Sequence, residues 1–92
     1  MAYAVIAHYR CEPSDASLIR KALLKMREHT RAEPGNLEYV VHTAEDGFVL
    51  YEVYLDRAGF DAHAASEHFA EYIVGTVRPL LTDRQVTFAE VI

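Results

Sequence analysis

An α+β fold with one antiparallel sheet is what this sequence predicts, and three observations predict it. Short runs rich in β-branched and aromatic residues alternate with two longer stretches whose apolar residues recur at helical spacing. The elements follow the order β-α-β-β-α-β, the ferredoxin-like pattern of a four-stranded antiparallel sheet with both helices on one face. The two central strands are separated only by "AEDG", a hairpin loop. The chain of 92 residues suits one domain, residues 1–92, and contains no repeat, low-complexity segment or linker.

The elements follow in order. "YAVIAHYR" (Tyr3–Arg10) reads as the first strand. "EPSD" breaks it, and Ser14 or Asp15 can cap the helix that follows. From Ala16 to about Arg31, Ile19, Ala22, Leu23 and Met26 form an apolar stripe. "EPG" (Glu33–Gly35) ends that helix, because the residue before proline disfavours helical geometry and glycine supplies a turn. "NLEYVVHT" (Asn36–Thr43) and "FVLYEVYL" (Phe48–Leu55) read as strands joined by an Asp-Gly turn at Asp46–Gly47. Asp56 can cap a helical region from about Arg57 to Leu80, within which Ser66 can start a second half at Glu67. Pro79 and "TDR" close it, and "QVTFAEVI" (Gln85–Ile92) reads as the last strand.

A sheet covered on one side alternates apolar and polar residues. The third strand instead carries Phe48, Leu50 and Tyr54 on one face and Val49, Tyr51, Val53 and Leu55 on the other. The helices cover one face, and the simplest cover for the other is a second copy of the chain, giving a two-fold homodimer. A hydrophobic fraction of 51% agrees with burial against a partner. The net charge of −5 argues against nucleic acid or an anionic membrane as partner. No apolar run approaches the roughly 18 residues of a membrane helix. The N-terminal "MAYAVIAHYR" lacks the features of a signal peptide, and a single cysteine, Cys11, rules out an internal disulfide. A reducing, cytoplasmic setting is expected.

No phosphate loop, zinc cysteine pair, His-Glu-x-x-His or nucleophile elbow is present, which leaves a pocket lined by scattered side chains. His63 and His68 stand five apart in "DAHAASEHFAEY" and read as metal ligands, an acid–base pair or plain helix residues. On one continuous helix they point ~140° apart, a poor ligand spacing, so no metal is expected. His63 lies on the core-facing side with Phe60, and His68 is a helical neighbour of Tyr72 at a pocket edge, where it can bind a phenol oxygen or move a proton. Glu52 stands mid-strand among apolar residues. A buried carboxylate there needs a partner or a raised pKa, as a pocket base or as a structural hydrogen-bonding group. Tyr39, Tyr51 and Tyr54 read mainly as core aromatics. His8, Tyr51, Phe69 and Tyr72 are expected to line the substrate pocket, and His29 and His42 have no assigned role.

"EPGNLEY", "FVLYEVYLDRAGFDAH" and "SEHF" together resemble the antibiotic biosynthesis monooxygenase family, over nearly the whole chain. The resemblance implies a dimeric α+β barrel of two ferredoxin-like subunits with a pocket in each. It implies oxidation of quinols, anthrones or related polyphenols by O₂ without metal, flavin or haem, since a phenolate can itself reduce O₂ once the protein has bound, oriented and deprotonated it. His63, His68 and Glu52 match the family pattern, as do Glu33, Pro34 and Gly35, which read as turn-formers. The chain departs from the pattern in having no Trp, with Tyr54 where many members carry one. Ala7 or His8, His63 and Ile73 stand where the haem-degrading branch uses Asn, Trp and His, which argues against haem.

The expected function is therefore a cofactor-independent monooxygenase acting on a quinol-like or polyketide-like aromatic. His63, His68 and Glu52 are its catalytic candidates. Isomerisation of a small metabolite in the same pocket, and a non-catalytic dimeric protein that binds a small molecule, are the alternatives.

Overall fold

Apolar residues on alternate strand positions and on one stripe of each helix must face one another, and the architecture follows from that meeting. The computed structural model describes residues 1–92. Strand β1 (Tyr3–Cys11) leads through a 3₁₀ turn (Pro13–Asp15) into helix α1 (Ala16–Arg31). Strands β2 (Asn36–Ala44) and β3 (Gly47–Tyr54) form a hairpin, followed by helix α2 (Arg57–Ala64), a π-helix (Phe69–Val77), a 3₁₀ turn (Arg78–Leu80) and strand β4 (Leu81–Glu90). The sheet order is β2-β3-β1-β4 with every pair antiparallel, which is the ferredoxin-like arrangement.

The core lies between one sheet face and the helices. Ile19, Leu23 and Met26 of α1 pack with Tyr9, Leu50 and Ile73. The opposite sheet face carries Ala4, Ile6, Tyr51 and Val53, and the core that the helices build does not include it.

The start of the last strand, the hairpin turn and one helix cap differ from the sequence reading. Strand β4 begins at Leu81, so "TDR" belongs to it. As an edge strand it pairs only with β1, and the polar residues that looked like a loop are exposed strand positions. The hairpin turn centres on Glu45–Asp46, one residue before the expected Asp46–Gly47, because Ala44 pairs with Gly47. Gly47 is in the ladder at φ 155°, and a Cβ there would lie 1.9 Å from the Tyr9 carbonyl oxygen, so β1 leaves room only for glycine. Asp15 precedes α1 without making a side-chain cap.

Asp56 does cap α2, its carboxylate accepting the Gly59 N–H at 2.9 Å. Ser66 breaks the helical region as its position predicts. Its Oγ donates to the His63 carbonyl (2.6 Å) and accepts the Phe69 N–H (3.2 Å), closing one helix and opening the next.

Candidate active site

The site forms where the exit of α1, the middle of β3 and the end of α2 converge. Gly35 and Gly59 set the spacing. A Cβ on Gly35 would approach the Gly59 Cα to 3.0 Å, so the turn after α1 and the start of α2 touch backbone to backbone. The Leu55 N–H also donates to the Gly35 carbonyl at 2.9 Å, tying the turn to the end of β3.

This contact brings Glu33 against both histidines. His63 Nδ1 lies 3.1 Å from Glu33 Oε2, and His68 Nε2 hydrogen-bonds the same oxygen. A carboxylate accepts, so each imidazole donates from the nitrogen that faces it. His63 is then left with Nε2 as its lone-pair nitrogen, 3.6 Å from Glu52 Oε1. Glu52 Oε1 also accepts the Tyr54 hydroxyl at 2.6 Å. The result is a continuous polar line, Tyr54–Glu52–His63–Glu33–His68, running from the sheet towards the surface.

Its inner members are deeply buried. His63 and Glu52 expose 2% and 5% of their surface. Four aromatic rings surround the His63 imidazole, with centroids at 5.1 Å (Tyr54), 5.2 Å (Phe69), 6.0 Å (Phe60) and 6.1 Å (Tyr39). Burial pushes the Glu52 carboxyl up to about 7, against the Tyr54 hydrogen bond, which lowers it. Burial pushes His63 the other way, towards the neutral imidazole, although Glu33 opposes this. A carboxyl that titrates near neutrality beside a neutral imidazole is suited to accept or return a proton. The Tyr54 phenol is held far above its usual range by burial, followed by the charge of Glu52, so it acts as a donor and not as a base.

A cavity of about 160 Å³ opens beside this line and is lined by Glu52, His63, Phe60 and Phe69, with β1 and β4 as its floor. An apolar cavity of about 150 Å³ holds a benzene-sized ring. Glu33, His63 and His68 place their donor atoms within 4.8 Å of one another. Two imidazoles and a carboxylate would suit a divalent transition metal. In the hydrogen-bonded arrangement, however, the Glu33 oxygen already accepts from both rings.

The sequence candidates separate cleanly. Glu52, His63 and Phe69 meet at the cavity, and His68 joins them through Glu33. Tyr72 lies outside the cavity. It stacks on His29 at 5.7 Å, and His29 stacks on His68 at 5.3 Å, so a histidine given no role stands between the expected His68–Tyr72 pair. Tyr51 and His8 project from the opposite sheet face, pairing with Ile6 and Val49 respectively, because each is one residue out of phase with the cavity-facing positions. His8 instead meets Asp46 at 2.9 Å on the surface.

Sequence reading missed Glu33 as a site residue, because "EPG" is explained fully as a turn. The signal it carried was an acid just past a helix C-terminus, where the dipole favours a base. Arg78, Arg84 and Tyr9, which also line the cavity, were not singled out either. They come from three elements, and no local spacing connects them.

Comparison with known proteins places the sequence and the fold. Rv0793 of Mycobacterium tuberculosis strain H37Rv, whose name proposes a monooxygenase, is 38% identical over 71 residues, 75% of this chain and 70% of that protein. The solved structure of Rv0793 has a TM-score of 0.91 at 35% identity, covering 100% of this chain and 96% of the other. Structures from Nitrosomonas europaea (TM-score 0.91, 23% identity, 99% and 90% covered) and Methanosarcina mazei Go1 (0.92, 20%, 100% and 94%) share the fold. The family described as antibiotic biosynthesis monooxygenase matches residues 2–74, a stretch that carries Glu33, Glu52, His63 and His68. The polar line therefore sits on the part of the sequence that defines the family, and the chain belongs to the antibiotic biosynthesis monooxygenase family.

Proposed function

We propose that the protein is a cofactor-independent monooxygenase that oxidises a small, electron-rich phenol, such as a quinol, with O₂. The observation that carries this reading is the buried Glu52 carboxyl, poised near neutrality beside the lone pair of His63 at the wall of a ring-sized aromatic cavity.

A phenol entering the cavity gives its proton to Glu52 or to His63 Nε2. Loss of that proton makes the ring electron-rich enough to reduce O₂. One oxygen atom is inserted at a ring carbon, the other leaves as water, and the quinol emerges as a hydroxylated quinone with two hydrogens fewer. Glu33 and His68 offer the proton a way out towards solvent, since His68 is only half-buried. The aromatic walls hold the ring by stacking and exclude water from the deprotonated intermediate.

O₂ consumption with a panel of reduced quinols tests this directly. Uptake above the spontaneous rate is expected for the wild type. Glu52→Gln should lower it by about 10²-fold or more, the size of a general-base contribution, and His68→Ala by less, because His68 lies outside the cavity. Treatment with EDTA should leave the rate unchanged. Loss of activity on chelation would instead assign Glu33, His63 and His68 to a metal. No uptake with any member of the panel would remove the oxidation reading for that class.

We further propose that the working form is a homodimer formed through the sheet face carrying Ile6, Tyr51 and Val53. Its centre, Ala4, Ile6, Tyr51 and Val53, is apolar, and no helix of the chain belongs to the core on that side.

A further inference from the structure

We propose that the ligand of this cavity is an anionic aromatic, a single-ring phenol bearing a carboxylate. Arg78 and Arg84 hold the carboxylate at one end, and Glu52 and His63 face the phenol at the other. The phenol end rests on the oxidation reading above. The carboxylate end stands on separate observations.

Three cross-strand pairs form the cavity floor, namely Val5 with Phe88, Ala7 with Val86, and Tyr9 with Arg84. Glu52 pairs with Val5, so the proton-accepting group sits at the first of these pairs. Arg84 sits at the third, four residues further along β1, or roughly 13 Å at the backbone. Arg78, just after the π-helix, lines the same cavity. The two ends are thus chemically opposite, and the long arginine side chains shorten the gap between them.

Both arginines are unmatched. Neither takes part in any ion pair or side-chain hydrogen bond within the chain. Arg78 is partly buried, its Nε is fully enclosed without a partner, and its guanidinium carbon lies 5.3 Å from the centroid of the Phe69 ring. Two like charges at one end of the cavity repel, and its one carboxylate, Glu52, stands at the other end and forms no ion pair with either. A bound anion held by the terminal guanidinium nitrogens would cancel the repulsion. A planar carboxylate matches the guanidinium fork, and the ring-sized volume limits the ligand to a single ring.

Anaerobic calorimetric titration at low salt with 2,5-dihydroxybenzoate and its neutral carboxamide tests the inference. The wild type should bind the carboxylate about tenfold or more tightly than the amide, as a charge-assisted pair requires. Arg78→Gln and Arg84→Gln should each bring that ratio towards one. Arg84 is exposed, so its variant is expected to fold even if that of Arg78 does not. Equal binding of the two compounds, binding of neither, or an unchanged ratio in Arg84→Gln would overturn the proposal. A carboxylate preference without O₂ uptake would sink the oxidation reading alone. Uptake with both compounds at equal affinity would sink this inference alone.

Discussion

Glu52 carries a pH dependence whose sign can be worked out. Its carboxyl titrates near 7 in the folded protein and at about 4.5 when unfolded. The unfolded chain therefore releases this proton at lower pH, so the stabilisation is complete below about 4.5 and is lost as pH rises through about 7. His63 works in the opposite direction. Its folded pKa is lowered, so its contribution is present above its ordinary value of 6.5 and is lost as pH falls through the folded value. The contrast is cleanest between variants. Glu52→Gln should be more stable than the wild type at pH 8 by on the order of 3 kcal/mol, with the advantage gone at pH 4.5, as read by urea unfolding at both values. Tyr54→Phe removes the hydrogen bond that lowers the Glu52 pKa. The acid limb of the kcat/KM profile should then move to higher pH. Glu52 was legible in the sequence because a carboxylate between strand tyrosines has no solvent to face. Glu33 was not, since its role depends on where a turn lands against a helix distant in sequence.

The elements were legible wherever period and punctuation agreed. The stripe on α1, the "EPG" stop and the Ser66 break all lie where the sequence puts them. The π-helix does not follow from the pattern, because Phe69, Tyr72, Ile73 and Val77 satisfy an α-helical spacing equally well. Its wider turn is seen in Thr76 Oγ1, which donates to the carbonyl of Glu71, five residues back, at 3.0 Å. Ser66→Ala should cost about 1 kcal/mol by removing the hydroxyl that serves both helices, measured by thermal unfolding. The Gly35–Gly59 contact is stricter. Gly35→Ala forces the two backbones apart and should destabilise by about 1–3 kcal/mol. It should also shift the NMR resonances of His63 and His68, because it displaces Glu33 relative to α2. An unchanged histidine spectrum would disconnect the glycine contact from the site.

At the scale of the whole molecule, the apolar outer sheet face predicts self-association. Sedimentation at micromolar concentration should give a dimer, and Ile6→Asp, a charge in the middle of that face, should give a folded monomer of about 10 kDa, since such a charge cannot be buried unpaired. A wild-type monomer would end the dimer proposal. The ferredoxin-like order was legible as a whole because six elements in that sequence leave few topologies. The cavity was not, because its floor comes from both ends of the chain. That origin has a kinetic consequence. Strand β4 supplies Arg84, Val86 and Phe88 to the cavity, yet it has only β1 beside it, and most of its residues are exposed. Such a strand opens more readily than the central pair, and its amides exchange their hydrogens with solvent through those openings. A bound ring would have to leave before β4 could open. Occupancy of the cavity should therefore be recorded as slowed amide exchange along Arg84–Phe88, which would report a ligand even where no chemistry follows.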